Sequence, residues 1–431
     1  MSRTHGRLHL SAWKELGYDD ASVWVSNGCG GQFAVGGANA AVVPAPAAAP
    51  GGTVAPAAAA AVGGTKETSA ARNIVGMFSP YGQLRTHFAA FQNDAEVQDN
   101  ATRICINFAT RGKIKAIAGT EWGVNLVQSE IQFNLSASGP SGSTQFPLLS
   151  TQTNPVFLAR LGFIGADFGP FGTVTVGKEY GPQYDIVGYT TDQFNVFGGQ
   201  GTFAYIAGTD GGVTGTARAD RVVQYRNTIL KILDIGFQSQ FRAVGNGHTT
   251  DGVGASVQIH LLPGFKVGGT YTRTNWSPAI QRGIPGLGGN ADYMAVGTRI
   301  DWKVLQFGAV YAHEHNGDAA NVVVPNVPNQ AATVAFDANG YEVYTRVGLR
   351  RFGLIGGFTY QDPKVRNPLL NPNFKTRYFI LGGEWFIADN AKIYTESRID
   401  DGSVTATGDK GYDVFTIGFR YDFSLHLDHE P

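Results

Sequence analysis

Cysteine, net charge and long apolar runs are all scarce in this chain. Two cysteines, Cys29 and Cys105, stand in 431 residues. That excludes a disulfide framework and disfavours a zinc cluster. Formal net charge is −1, and 16% of residues are charged, against a usual share of about a quarter. No basic field exists to attract nucleic acid. No stretch supplies the roughly 20 uninterrupted apolar residues of a transmembrane helix. The nearest, 40–62, is alanine broken by Pro44, Pro46, Pro50, Pro56 and the Gly51–Gly52 pair. The opening MSRTHGRLHLSAWKELGYDD has no apolar core of an export signal.

What is abundant is glycine (58 residues) and aromatic side chains (12%), with glycine close to twice its usual share of about 7%. That composition suits many short strands joined by glycine-containing turns. From residue 81 onward apolar and polar residues alternate, the mark of two-faced strands. In 234–242, Ile235, Phe237 and Phe241 oppose Asp234, Gln238, Gln240 and Arg242. In 253–261, Val253, Val257, Ile259 and Leu261 oppose Ser256, Gln258 and His260. Sixteen such segments are expected: 82–92, 101–110, 113–126, 156–167, 172–180, 219–229, 233–243, 252–262, 265–275, 290–302, 304–314, 339–349, 353–361, 375–387, 391–400 and 411–423. An even number lets an antiparallel barrel bring both ends to one side. Tight turns at 111–112, 263–264 and 389–390 alternate with connections of twenty to forty residues, the asymmetry of an outer-membrane barrel. A soluble sandwich or propeller also alternates. Strands of about ten residues fit a tilted membrane crossing better, and polar faces rich in Arg, Gln and Glu fit a water-filled lumen.

The fold class is therefore all-β: a 16-stranded antiparallel transmembrane barrel at 71–423, with a C-terminal extension at 424–431. Before it lie an Ala/Pro/Gly linker at 36–70, too poor in large apolar side chains to fold, and a fragment at 1–35. Residues 13–33 resemble the closing strands of small secreted cysteine-containing modules. Such a module pairs its cysteine upstream, where this chain offers no partner for Cys29; with the missing export signal, this reads as a truncated start. The longest structureless stretch, 181–220, is rich in Gly, Thr and Asp. Loops of that length are functional when they occur in compact domains, and this one is expected to fold inward and narrow the bore.

Ala159-Arg-Leu-Gly-Phe-Ile-Gly, then Phe171-Gly-Thr-Val-Thr-Val-Gly-Lys-Glu-Tyr-Gly, Asn195-Val-Phe-Gly-Gly and Gln224-Tyr-Arg-Asn follow in order across about seventy residues. In order and spacing they resemble the general, Gram-negative type porins. The resemblance implies a homotrimer in the outer membrane, contacting its lipid and lipopolysaccharide and passing ions and small hydrophilic solutes by diffusion. It also implies wall arginines at Arg103, Arg160 and Arg218, with Arg85 beside them, facing a constriction loop that carries Asp192 or Asp185 and the Phe197-Gly198-Gly199 element. Parity assigns Ile104, Ile106 and Phe108, and likewise Leu161 and Phe163, to lipid, leaving Arg103 and Arg160 inward. The family's loop glutamate is replaced by Val196, and its next acidic position by Gln200, which shifts the expected preference away from cations.

No catalytic residue, metal site or cofactor is expected. Cys105 reads as a lone inward thiol, and His313-Glu314-His315 as solvated loop at a strand end. No Ser-His-Asp or paired-carboxylate spacing supports the alternative of a barrel enzyme. A structural or adhesive role through residues 1–35 is the other alternative.

Overall fold

The computed structural model describes residues 15–18, 23–26, 76–127, 156–199, 201–202, 212, 214–243, 247–284, 286–323, 331–425 and 427–428. The chain separates into two compact units, Met1–Arg72 and Asn73–Pro431. In the first, Glu15–Tyr18 and Val23–Ser26 pair as an antiparallel hairpin. The expectations for Cys29, the linker at 36–70 and Gln200 lie outside the described residues.

In the second unit each stave hydrogen-bonds its neighbours in chain order until the last meets the first, a closed antiparallel barrel. The staves are β1 (Gly76–Phe91), β2 (Asp94–Asp99, resuming as Arg103–Thr110), β3 (Lys115–Val124), β4 (Phe157–Asp167), β5 (Thr173–Tyr180), β6 (Arg218–Ile229), β7 (Leu233–Gln240) and β8 (Gly252–Leu262). They continue as β9 (Phe265–Asn275), β10 (Asn290–Asp301), β11 (Leu305–Val323), β12 (Ala331–Leu349), β13 (Phe352–Lys364), β14 (Thr376–Ala388), β15 (Ala391–Asp400) and β16 (Val414–Ser424). The sixteen expected segments coincide with them to within a few residues, apart from β1 and β2, which start six and seven residues earlier, and the long β11 and β12.

Alternation decides which side of each stave meets lipid. Phe237, Val257, Ile259, Val296, Phe415 and Ile417 are exposed on the outer face, while Gln238, Gln240, Ser256, Glu342 and Thr416 are buried within. Closure leaves no stave with an unpaired edge, so no backbone donor or acceptor is presented to hydrocarbon. The seam runs from Val414 opposite Phe91 to Ser424 opposite Tyr81. It continues where Leu427 and Asp428 pair with Phe78 and Met77. The segment after Phe423 is thus partly stitched into the barrel. Aromatic pairs mark two levels of the outside, Phe352–Trp385 and Phe78–Phe108 towards one rim and Tyr311–Tyr341–Tyr360 towards the other, as expected at the two lipid–water interfaces.

One rim carries only short connections. At 263–264 Gly264 has φ +78, and a Cβ there would meet the Asp301 carbonyl oxygen at 2.2 Å, so glycine is required. The other rim carries the long loops, with three departures from expectation. The first hairpin turns at 92–93, with β2 starting at Asp94 instead of 101. A break at Asn100–Thr102, with Ala101 at φ 55, lets its two halves pair with different stretches of β1. Secondly, 315–323 and 331–338 are strand and not loop. There Val322, Val334 and Phe336 pack with Leu370 and Phe374 in an apolar cluster at the rim, which the alternation count did not anticipate. The third follows from the second: His313-Glu314-His315 is not a solvated loop. It lies within β11, with Glu314 buried, His313 bonded to Asn339 at 2.7 Å and His315 paired with Asp337 at 3.2 Å.

Replacing Val257, mid-stave on the lipid face, by arginine should destabilise the barrel by about 2–4 kcal/mol, measured by urea unfolding in vesicles. A cost near zero would place that side chain in the lumen.

Candidate functional site

The loop after β5 turns into the barrel. Gly181 donates its amide to the Ala217 carbonyl across the loop's neck at 2.7 Å. Pro182, pre-set for a first helical position, opens helix α1 (Pro182–Ile186), and α2 (Gly188–Thr191) follows. The chain then runs along the inner wall. Glycine on the wall makes room for it: a Cβ at Gly308 would meet the Thr190 carbonyl oxygen at 2.2 Å, and one at Gly340 the Gly201 carbonyl oxygen at 1.6 Å. No larger residue fits either position without displacing the loop.

Loop and wall are joined by polar bonds and one apolar cluster. Glu396 of β15 accepts the backbone amides of Asn195 (2.8 Å), Val196 (2.9 Å) and Phe197 (2.8 Å). Glu342 of β12 accepts the hydroxyls of Thr191 (2.7 Å), Thr202 (3.1 Å) and Thr359 (3.2 Å). From the opposite side Arg85 Nη2 donates to the Asn195 carbonyl at 2.5 Å and Asn100 Nδ2 at 2.9 Å. Phe194, Val196 and Phe197 pack with Tyr344, Ile355, Tyr378 and Tyr394. The buried Arg398 guanidinium lies over Phe197, Tyr378 and Tyr412, 5.4–5.7 Å from each ring centre.

The Phe197-Gly198-Gly199 element has a physical role at each position. Phe197 is the buried anchor. A Cβ at Gly198 would meet Asp192 Oδ1 at 2.8 Å, and Gly199 has φ +73, which favours glycine. Val196, standing where the resembling family has glutamate, is buried in the apolar cluster and contributes its backbone amide instead of a charge.

The facing wall carries the arginines. Arg103 of β2 and Arg160 of β4 both reach Glu121 Oε1 of β3, at 3.6 and 2.5 Å. Glu121 Oε2 accepts from the Cys105 thiol at 3.4 Å. Arg85 lies next to them on β1, within electrostatic reach of Arg103 and Asp192. Asp192 accepts from the Tyr184 hydroxyl at 3.3 Å and faces Arg103, Arg85 and Arg160. Asp185 bonds Arg226 of β6 at 3.0 Å and Ser256 at 3.1 Å. Below the loop opens a cavity of about 1000 Å³ lined by Leu161, Tyr180, Asp185, Tyr189, Arg226 and Arg299, among others.

Arg85, Arg103 and Arg160 are therefore gathered on one wall, with Asp192 and Asp185 on the loop. Arg218 is buried at the first position of β6, opposite Tyr180, and farther along the same stave Arg226 makes an ion pair to the loop. The inward setting of Arg160 was expected for a wrong reason. Glu121 pairs with Leu161 but Trp122 with Ala159, so Arg160 is the extra residue of a β-bulge, which re-aims side chains. Leu161 and Phe163 do not face lipid; both line the cavity, while Ile164 is exposed outside. Glu121, Arg226, Glu342 and Glu396 went unrecognised. Parity would have put Glu121 opposite Cys105 and Glu396 between Tyr394 and Arg398 on an inner face, but it does not say what an inward carboxylate bonds. Among the described residues no group of three or more His, Cys, Asp or Glu is placed to hold a metal ion.

A family model described as Gram-negative porin matches residues 40–424. Outer membrane protein F of Serratia marcescens is 27% identical over 288 residues, covering 61% of this chain and 74% of that protein. Outer membrane porin F of Xenorhabdus nematophila is 23% identical, covering 80% of this chain and 91% of its own. Among solved structures, Salmonella typhi OmpF superposes with a TM-score of 0.62 at 20% identity, covering 82% of this chain and 99% of that one.

Glu396→Ala would leave three buried amides without their acceptor, each at about 1–3 kcal/mol. The loop tip should loosen, giving larger and noisier single-channel currents in planar bilayers. Unchanged currents would mean the carboxylate is dispensable to the loop's position.

Proposed function

The chain belongs to the Gram-negative porin family, an outer-membrane diffusion channel, and from that premise we propose that the gap between loop 181–217 and the wall of β1–β6 is its eyelet, with a preference for anions. Water fills the bore, and small hydrophilic solutes and ions cross by diffusion without energy input. The observation that carries this reading is the charge arrangement. Arg103 and Arg160 share one carboxylate, Glu121, Arg85 stands beside them with its guanidinium on the Asn195 carbonyl, and all three lie within electrostatic reach of one loop acid, Asp192. Opposed charges across a narrow passage set up a transverse field, and pore selectivity follows from such linings. Nearer the seam Arg346 and Lys392 likewise share one acid, Glu384, which adds to the positive balance.

The working unit is read as a homotrimer embedded in outer-membrane lipid and lipopolysaccharide. A trimer form is named for OmpT of Vibrio cholerae, whose fold is similar at 16% identity and a TM-score of 0.55. The role is that of a channel and not of an enzyme: relatives are named as outer membrane porins, and Arg85, Glu342 and Glu396 at the eyelet are engaged in holding the loop. The N-terminal unit is taken to be separate from conduction, with a tethering or adhesive role.

Single-channel recording tests the eyelet. Under a KCl gradient the wild-type reversal potential should indicate anion preference, and replacing Arg103 and Arg160 by glutamine should move it towards cations. A reversal potential that does not move would make both side chains bystanders in a wide lumen.

A further inference from the structure

The eyelet is lined with rings as well as charges. Tyr180, at the end of β5, stacks on Tyr184 of α1 with centroids 3.9 Å apart, and Tyr184 meets Tyr189 of α2 edge-on at 5.2 Å. Tyr184 is held by its bond to Asp192, and the Tyr189 carbonyl accepts from Arg299 at 2.6 Å, so the series is fixed at several points. Tyr189 nevertheless leaves 53% of its surface open, and it lines the cavity together with Leu161 and Phe163. A passage that only sieved water and small ions would have no use for an open aromatic ring in a cavity that two apolar side chains also line. Such a surface adsorbs flat apolar groups, because ring–ring contact is favourable beyond the area it buries.

Positive charge stands at the Tyr180 end of this surface. Arg160 lies within electrostatic reach of Tyr180 and shares Glu121 with Arg103, and the two arginine side chains keep 14% and 20% of their surface open. A guanidinium pair with one carboxylate between them retains donors for a second, since each fork offers several N–H groups. The acids lining the cavity do not oppose an anion strongly. Asp185 is held by Arg226, Asp234 by His260 and Lys266, and Asp301 by Arg299, while the fourth acid, Glu179, is buried.

Resting on the eyelet reading above, we infer that this porin retains small aromatic carboxylates in transit. The ring lies on Tyr189 beside Leu161 and Phe163, and the carboxylate meets Arg160 and Arg103. Binding is reversible, and it favours passage of a dilute solute because a weak site inside the pore raises local occupancy without trapping it.

The full chain reconstituted in planar bilayers at low salt, where screening is weak, gives the test. Sodium benzoate should interrupt the current in resolvable events, sodium cyclohexanecarboxylate in much shorter ones, and sodium acetate not at all. Tyr189→Leu should shorten benzoate events about 2- to 10-fold, the contribution of one aromatic pair beyond burial; Tyr189→Phe should leave them near the wild-type length. Equal events for benzoate and the saturated ring, or no effect of Tyr189→Leu, would overturn the inference while leaving the pore intact. Benzylammonium blocking as long as benzoate would overturn the carboxylate assignment. A protein with no conductance would overturn the eyelet reading and this inference together.

Discussion

A stretch of backbone laid inside a barrel must pair its own amides and carbonyls, because the wall has spent its backbone groups on its neighbours. The loop at 181–217 meets that constraint with side chains from the wall. One carboxylate, Glu396, takes three consecutive amides, and the carbonyl of Asn195 in the same turn is taken by Arg85 and Asn100 from the other direction. Hydrogen bonds to charged groups contribute about 1.5–3 kcal/mol each, so among the described residues this turn is a strong attachment of the loop. Everything that narrows the bore depends on it: the placement of Asp192, the exposure of Tyr189 and the width left for water.

The same attachment explains a change in chemistry at the tip. With Val196 packed into an apolar cluster and its amide held by Glu396, the tip is anchored without carrying charge into the passage. The wall arginines are then less fully neutralised than they would be opposite a more acidic loop. Ion pairs at partly solvated positions add little stability, so the consequence of two guanidiniums on Glu121, with Arg85 beside them, lies in the field across the passage. That field acts where open tyrosine and apolar side chains also line the path. Charge and ring contact are therefore presented to a solute at one level of the pore.

The barrel was largely legible in the sequence, because a period of two is imposed by the pleat and survives wherever one face meets lipid. Phe237 against Gln238, or Val257 against Ser256, states which side is which. Legibility failed where the period is broken or is not set by lipid. The bulge at Arg160 shifts the count by one, so Leu161 and Phe163 were assigned outward although Arg160 itself was placed correctly. The stretches 315–323 and 331–338 rise to the rim, where inward residues such as Val334 and Phe336 pack on loops and the alternation loses its meaning. At the eyelet the Phe197-Gly198-Gly199 element and the arginines could be named from their pattern. Glu121, Glu396 and Arg226 could not, because their roles come from contacts between positions far apart in the chain, such as Glu396 with Asn195, and no local pattern records that pairing.

The central claim is that the loop lies within the path that ions take. A Cys29→Ser, Cys105→Ser chain carrying Tyr189→Cys offers one thiol on that loop, and a charged methanethiosulfonate added to a conducting bilayer reports its position. The account predicts a stepwise fall in conductance as each channel is modified, with no change in a control that keeps Tyr189. Modification that leaves the current untouched would place the loop outside the conducting path and contradict the account.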